Sequence, residues 1–127
     1  MYFKGSVLAG FLLFVLTGTA NAESTGWLYG PDLWPLTPKI SSKGLIPSGI
    51  ECKDSGKRSL SLSSAMIKLE LARNNNGKRW HWWITWSKDG LVETEKQMRI
   101  EGYHLVSKDS FVRPNGGIRI NCLLYQN

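Results

Sequence analysis

"GKRWHWWITW", residues 77–86, packs four tryptophans and a histidine into seven positions directly after two cations. How this stretch is read decides the fold. It follows "NNNG" (74–77), and asparagine and glycine tolerate the positive φ of a tight turn. It is in turn preceded by "MIKLELAR" (66–73), where Ile67, Leu69 and Leu71 alternate with Lys68 and Glu70. That period of two is the mark of a half-buried strand. The pair therefore reads as a β-hairpin with the tryptophan stretch as its second strand. Strand geometry then sorts the side chains. Trp80, Trp82, Ile84 and Trp86 share one face, and His81, Trp83, Thr85 and Ser87 share the other. The first set is large and continuously apolar, so it is assigned to the core beneath a helix. A buried aromatic removes about 150–250 Å² from water, so three indoles supply much of a small core.

The pattern changes downstream. In "KDGLVETEKQMRIEG" (88–102), Leu91, Glu95, Met98 and Gly102 fall near one helical face, with Val92 beside them. The expected helix covers about 90–101. Asp89 is placed to cap it, Glu93 and Glu95 suit the positive end of its dipole, and Gly102 suits a left-handed stop. Glu95 and Arg99 are spaced as a favourable i,i+4 pair. "YHLVS" (103–107), "SFVR" (110–113) and "IRINCLLYQ" (118–126) return to strand character around a "PNGG" turn. Upstream, "GIEC" (49–52) and "RSLSLS" (58–63) read as short strands around "KDSG". Residues 23–49 hold four of the five prolines together with Trp27, Tyr29 and Trp34. They read as an irregular arm without regular helix, laid by its aromatics against the domain's own surface. The expected class is α+β: an antiparallel sheet of about 5–6 strands with one short helix on a face, spanning 50–127.

Residues 1–22 carry the pattern of a signal peptide. "MYFK" supplies a cation, "GSVLAGFLLFVL" an apolar run, and "TGTANA" places small residues at Ala20 and Ala22. The run is short for a membrane span. Cleavage near Ala22 yields an exported chain, periplasmic or secreted, and no later stretch is long enough to span a bilayer. The only two cysteines, Cys52 and Cys122, then read as one structural disulfide.

Chemistry is sparse. His81 and His104 are distant in sequence, and no zinc-ligand spacing, nucleophile elbow or phosphate-cradling loop is present. No metal, cofactor or catalytic residue is assigned, and the reading leans away from an enzyme. Without Lys4 the charge is +5, spread over scattered cations. That suits weak association with anionic surfaces, while export excludes nucleic acid as a partner. Trp83 stands on the face that one helix leaves open: either the proline-rich arm folds over it, or it is a solvent-facing aromatic available to a ligand. It lies beside His81 and near Lys78 and Arg79. These four form the candidate ligand-binding set of a non-enzymatic, monomeric binding module for a glycan or an exported protein. The alternative is an inhibitor or immunity-type protein that blocks an exported enzyme through the arm aromatics Trp27, Tyr29 and Trp34.

"GYHLVSKDSFVRPNGGIRINCLLY" (102–125), preceded by the acidic helix and the tryptophan strand, resembles strand–helix–hairpin modules of secreted bacterial proteins. Those modules are marked by Gly-Tyr-Arg, a Val-Ser or similar pair, and a strand ending in an aromatic. His104 stands where arginine is usual, Tyr125 where tryptophan is, and one copy is present. The resemblance implies an exported accessory or binding module and no reaction.

Overall fold

The computed structural model describes residues 23–58, 61–114 and 116–127, together with the backbone of Val15–Leu16. Apart from those two residues, the segment 1–22 that the sequence reads as a signal peptide lies outside the described residues. The elements in chain order are β1 (Val15–Leu16), β2 (Glu23–Ser24), β3 (Leu28–Tyr29), α1 (Gly30–Leu33), α2 (Leu36–Ser42), β4 (Leu45–Asp54), a 3₁₀ turn (Leu62–Ser64), β5 (Ala65–Arg73), β6 (Trp80–Thr85), α3 (Lys88–Ile100), β7 (His104–Val112) and β8 (Arg119–Gln126).

The α+β class stands, with two antiparallel sheets in place of the expected single one. In the first, β4 pairs along one edge of β5, and β2 and β3 pair in succession along the other. β2 also pairs with β1. In the second, β8 is central between β6 and β7. The turn at 74–77 is therefore no hairpin, because β5 and β6 belong to different sheets. Both edges of β5 are already occupied. The Asn74 side chain instead closes the loop on itself, accepting from the Lys78 N–H (2.9 Å) and donating to the Lys78 carbonyl (2.8 Å).

The main core lies between the sheets. Ala65, Ile67, Leu69 and Leu71 of β5, with Ile50 and Cys52 of β4, meet Trp80, Trp82 and Ile84 of β6 and Ile120, Cys122 and Leu124 of β8. The alternation read in "MIKLELAR" is borne out residue by residue. So is the inward set of the tryptophan strand, except that Trp86 lies beyond the end of β6 and is 36% exposed. Its cover is different from that expected. The first sheet and helices α1 and α2 lie over Trp80 and Trp82, and α3 lies on the opposite face. There Met98, Tyr103, Leu123 and Tyr125 form a second, smaller core with Leu91 packed against it. β8 is thus buried on both faces.

Residues 23–49 also depart from the irregular arm. They carry β2, β3, α1, α2 and the start of β4, and they place Leu33, Leu36 and Ile40 in the main core. A Cβ on Gly30 would collide with the Leu62 carbonyl, so α1 packs there only because residue 30 lacks one. "RSLSLS" is not a strand over its described part: Ser61 caps the 3₁₀ turn through its side chain. α3 begins two residues earlier than the expected Asp89 cap allows. Ser87 is its cap, accepting from the Gly90 N–H at 2.9 Å, and Asp89 sits in the first turn. Gly102, at φ +87°, ends it as expected.

The sheets are joined where β4 runs beside β7, by side chains in place of a ladder. The Ile50 N–H donates to Ser107 Oγ (3.0 Å) and the Cys52 N–H to Asp109 Oδ2 (2.9 Å). Gln126 Nε2 donates to the Pro47 carbonyl (2.9 Å). Arg113 binds Asp54 (2.9 Å) and the Lys57 carbonyl. The Cys52–Cys122 disulfide, with Cα atoms 6.4 Å apart, fastens β4 to β8 at the same place. Asp109→Ala leaves the Cys52 amide without its charged acceptor. A loss of about 2 kcal/mol is expected, read as a lower urea midpoint with an unchanged m-value.

Candidate functional site

The second sheet presents β6 at its outer edge, and α3 crosses that sheet's outer face. Alternation along the strand puts Arg79, His81, Trp83 and Thr85 on the α3 side. Three of the four expected site residues are therefore brought together. Lys78 is not among them: it lines a shallow hollow at the 74–77 turn with Ile46, Arg73 and Gln126.

Tyr103, the first residue after the Gly102 stop, organises the near end of this face. The His81 ring meets it edge-on at 4.9 Å between centroids, and the Arg79 guanidinium lies 5.6 Å from its ring centre. Further along the strand, the Trp83 indole N–H donates to Met98 Sδ at 3.3 Å, which ties the ring to the helix. The ring nonetheless stays 40% exposed. It forms one wall of an open groove of about 490 Å³ whose other residues are Glu93, Thr94, Lys96, Gln97 and Ile100 of α3. An indole held at a fixed angle is thus surrounded by a carboxylate, a hydroxyl, an amine and an amide. No protein-family model, curated protein or solved structure matches this chain. The chemistry of the site has to be read from the side chains themselves.

His104 does not join His81. The β8 partners of the two are Gln126 and Tyr125, neighbours that point to opposite faces, and β8 separates the two strands. The acid–base pair that an enzyme reading needs is not formed by these histidines. Among the described residues no cluster of three or more His, Cys, Asp or Glu is arranged to hold a metal ion. No described helix is long and apolar enough to cross a membrane.

The alternative set is engaged within the molecule. Trp27 lies beneath Lys53 Nζ (4.2 Å) and Lys68 Nζ (5.1 Å), and Lys57 Nζ lies 4.7 Å above the Tyr29 ring. Trp34 packs on Trp82 at 4.8 Å while remaining 53% exposed. Sequence reasoning missed Tyr103 and the α3 residues of the groove. The helical spacing of 93, 96, 97 and 100 was visible, but nothing local showed that this flank of α3 lies beside Trp83.

Proposed function

We propose that the protein is an exported, non-enzymatic binding module that holds a glycan in the groove between β6 and α3. The observation carrying this reading is the half-exposed Trp83, oriented by its bond to Met98 and ringed by hydrogen-bonding side chains. A sugar ring offers an apolar C–H face to an indole and hydroxyls to the groups around it. This is the usual division of labour in a ligand site: an apolar surface for area and a few polar groups for orientation. Arg79 and His81, at the near end of the same face, extend the contact toward acidic sugars. Export rests on the leader pattern of residues 1–22, and the disulfide is compatible with it.

The test is an array of neutral, acidic and amino-sugar oligosaccharides probed with the chain from Glu23. Wild type is expected to capture a subset, and Trp83→Ala to lose tenfold or more in affinity while still unfolding cooperatively. Binding of no saccharide, or undiminished binding by Trp83→Ala, overturns the proposal. The inhibitor reading draws on Trp34, the most exposed of the arm aromatics. Trp34→Ala weakening capture of a partner enzyme would favour it instead.

A further inference from the structure

The opposite flank of α3 carries a different kind of site. There Glu95 and Arg99 of the helix, Tyr103, the start of β7 at His104–Leu105, and Tyr125 of β8 line an open hollow of about 300 Å³. Tyr125 is only 2% exposed, and its hydroxyl has no hydrogen-bond partner among the described residues. A buried hydroxyl without a partner carries a desolvation cost that a bound group would relieve. Burial, with the nearby Glu95 carboxylate and against the Arg99 guanidinium, pushes the Tyr125 phenol up to about 12. It is therefore a hydrogen-bond donor throughout the physiological range.

Two charges stand beside it at the partly exposed rim. Glu95 and Arg99 stand one helical turn apart, the spacing at which opposite charges pair, yet they form no ion pair among the described residues. Both act on the Tyr125 hydroxyl, so one negative and one positive group border the same buried donor. A ligand bearing a single charge would gain from one and be repelled by the other. A ligand bearing both charges satisfies the whole set.

We infer that this hollow is a binding site for a small dipolar solute bearing an ammonium and a carboxylate, such as a free α-amino acid or a short peptide. Its carboxylate takes the Tyr125 hydroxyl and the Arg99 guanidinium, and its ammonium takes Glu95. Tyr103 and Leu105 offer apolar surface to whatever side chain it carries. The site lies across α3 from the Trp83 groove and stands independently of the glycan reading.

The experiment is thermal unfolding and calorimetry of the chain from Glu23, with the free amino acids in one arm and di- and tripeptides in the other. At a hundredfold excess over Kd, a bound zwitterion raises Tm by about 10 °C or more. Tyr125→Phe keeps the ring and removes the unpartnered hydroxyl. It is expected to fold at least as stably as wild type and to bind tenfold or more weakly. Arg99→Gln changes an exposed side chain and should weaken binding similarly, whereas Trp83→Ala should leave it unchanged. The arm that responds identifies the source as amino acid or peptide. Failure of both arms, or Tyr125→Phe and Arg99→Gln binding at wild-type affinity, overturns the assignment whatever the outcome with saccharides.

Discussion

Reduction of the Cys52–Cys122 disulfide, or its replacement by Cys52→Ala/Cys122→Ala, is expected to destabilise the protein by about 4 kcal/mol. The cross-link spans a sequence separation of 70 residues, and chain-entropy accounting gives a loop of that size about this value. The number is large against the 5–15 kcal/mol that holds a domain of this size together. Tm should fall by about 15–30 °C. The position of the bond makes the loss more than entropic. Cys52 carries the amide that donates to Asp109, and Cys122 lies opposite Asp109 across the β7–β8 ladder. Cross-link and hydrogen bond therefore hold the same point of contact between the two sheets. The two losses should not add. In a double-mutant cycle, Asp109→Ala is expected to cost less in the reduced protein than in the oxidised one. Urea unfolding of the four species measures this, and strict additivity would show that disulfide and junction act separately.

What the sequence reveals of this architecture is local, and what it conceals depends on partners distant in the chain. Alternation in residues 66–73 and 80–84 tells which side chains share a face, and the structure keeps both sets. Alternation does not say which layer covers a face. Met98 and Leu91 identify an apolar stripe on α3, but it fits either side of β6. The choice is made by the first sheet, which takes the Trp80–Trp82 side and leaves α3 the other. The 74–77 turn shows the same limit, since its residues suit a hairpin. It fails to make one because β5 is bonded on one edge to β4 and on the other to β2 and β3, two of them formed by residues expected to be irregular.

The prolines misled for a definable reason. Pro31 falls in the first turn of α1, Pro35 is the N-cap of α2, and Pro38 lies in the first turn of α2. At those positions no intrahelical bond requires the missing N–H, so proline starts these helices without breaking them. Pro47 sits in β4 at the register shift before Gly49, where a ladder tolerates it. The Trp83 groove was half legible for the same reason as the fold. Strand alternation shows which face Trp83 takes, but that α3 lies on this face and still leaves the ring 40% exposed depends on the packing of the helix and could not be read from it.

Adjacent indoles on β6 should respond to truncation in opposite ways, which tests the sorting of faces directly. Trp82 is 4% exposed, lies in the main core and packs against Trp34 with the rings tilted by 43°. Trp82→Ala opens a cavity between the sheets and is expected to cost about 3–5 kcal/mol. That is enough to leave much of the population unfolded at 37 °C. Trp82 Nε1 has no hydrogen-bond partner among the described residues, so part of the side chain's burial works against stability. Trp82→Phe keeps a ring and drops that group, and it should cost roughly half as much or less. Trp83, one residue on, contributes only a partly covered ring and a bond to a thioether. Trp83→Ala is expected to cost about 1–2 kcal/mol and to leave a cooperative transition. Urea unfolding should therefore rank Trp82→Ala well below Trp83→Ala in stability, with ligand capture lost in the more stable of the two. If Trp83→Ala were the more damaging, its ring would be supporting the α3 layer as core. The groove would then be a by-product of packing.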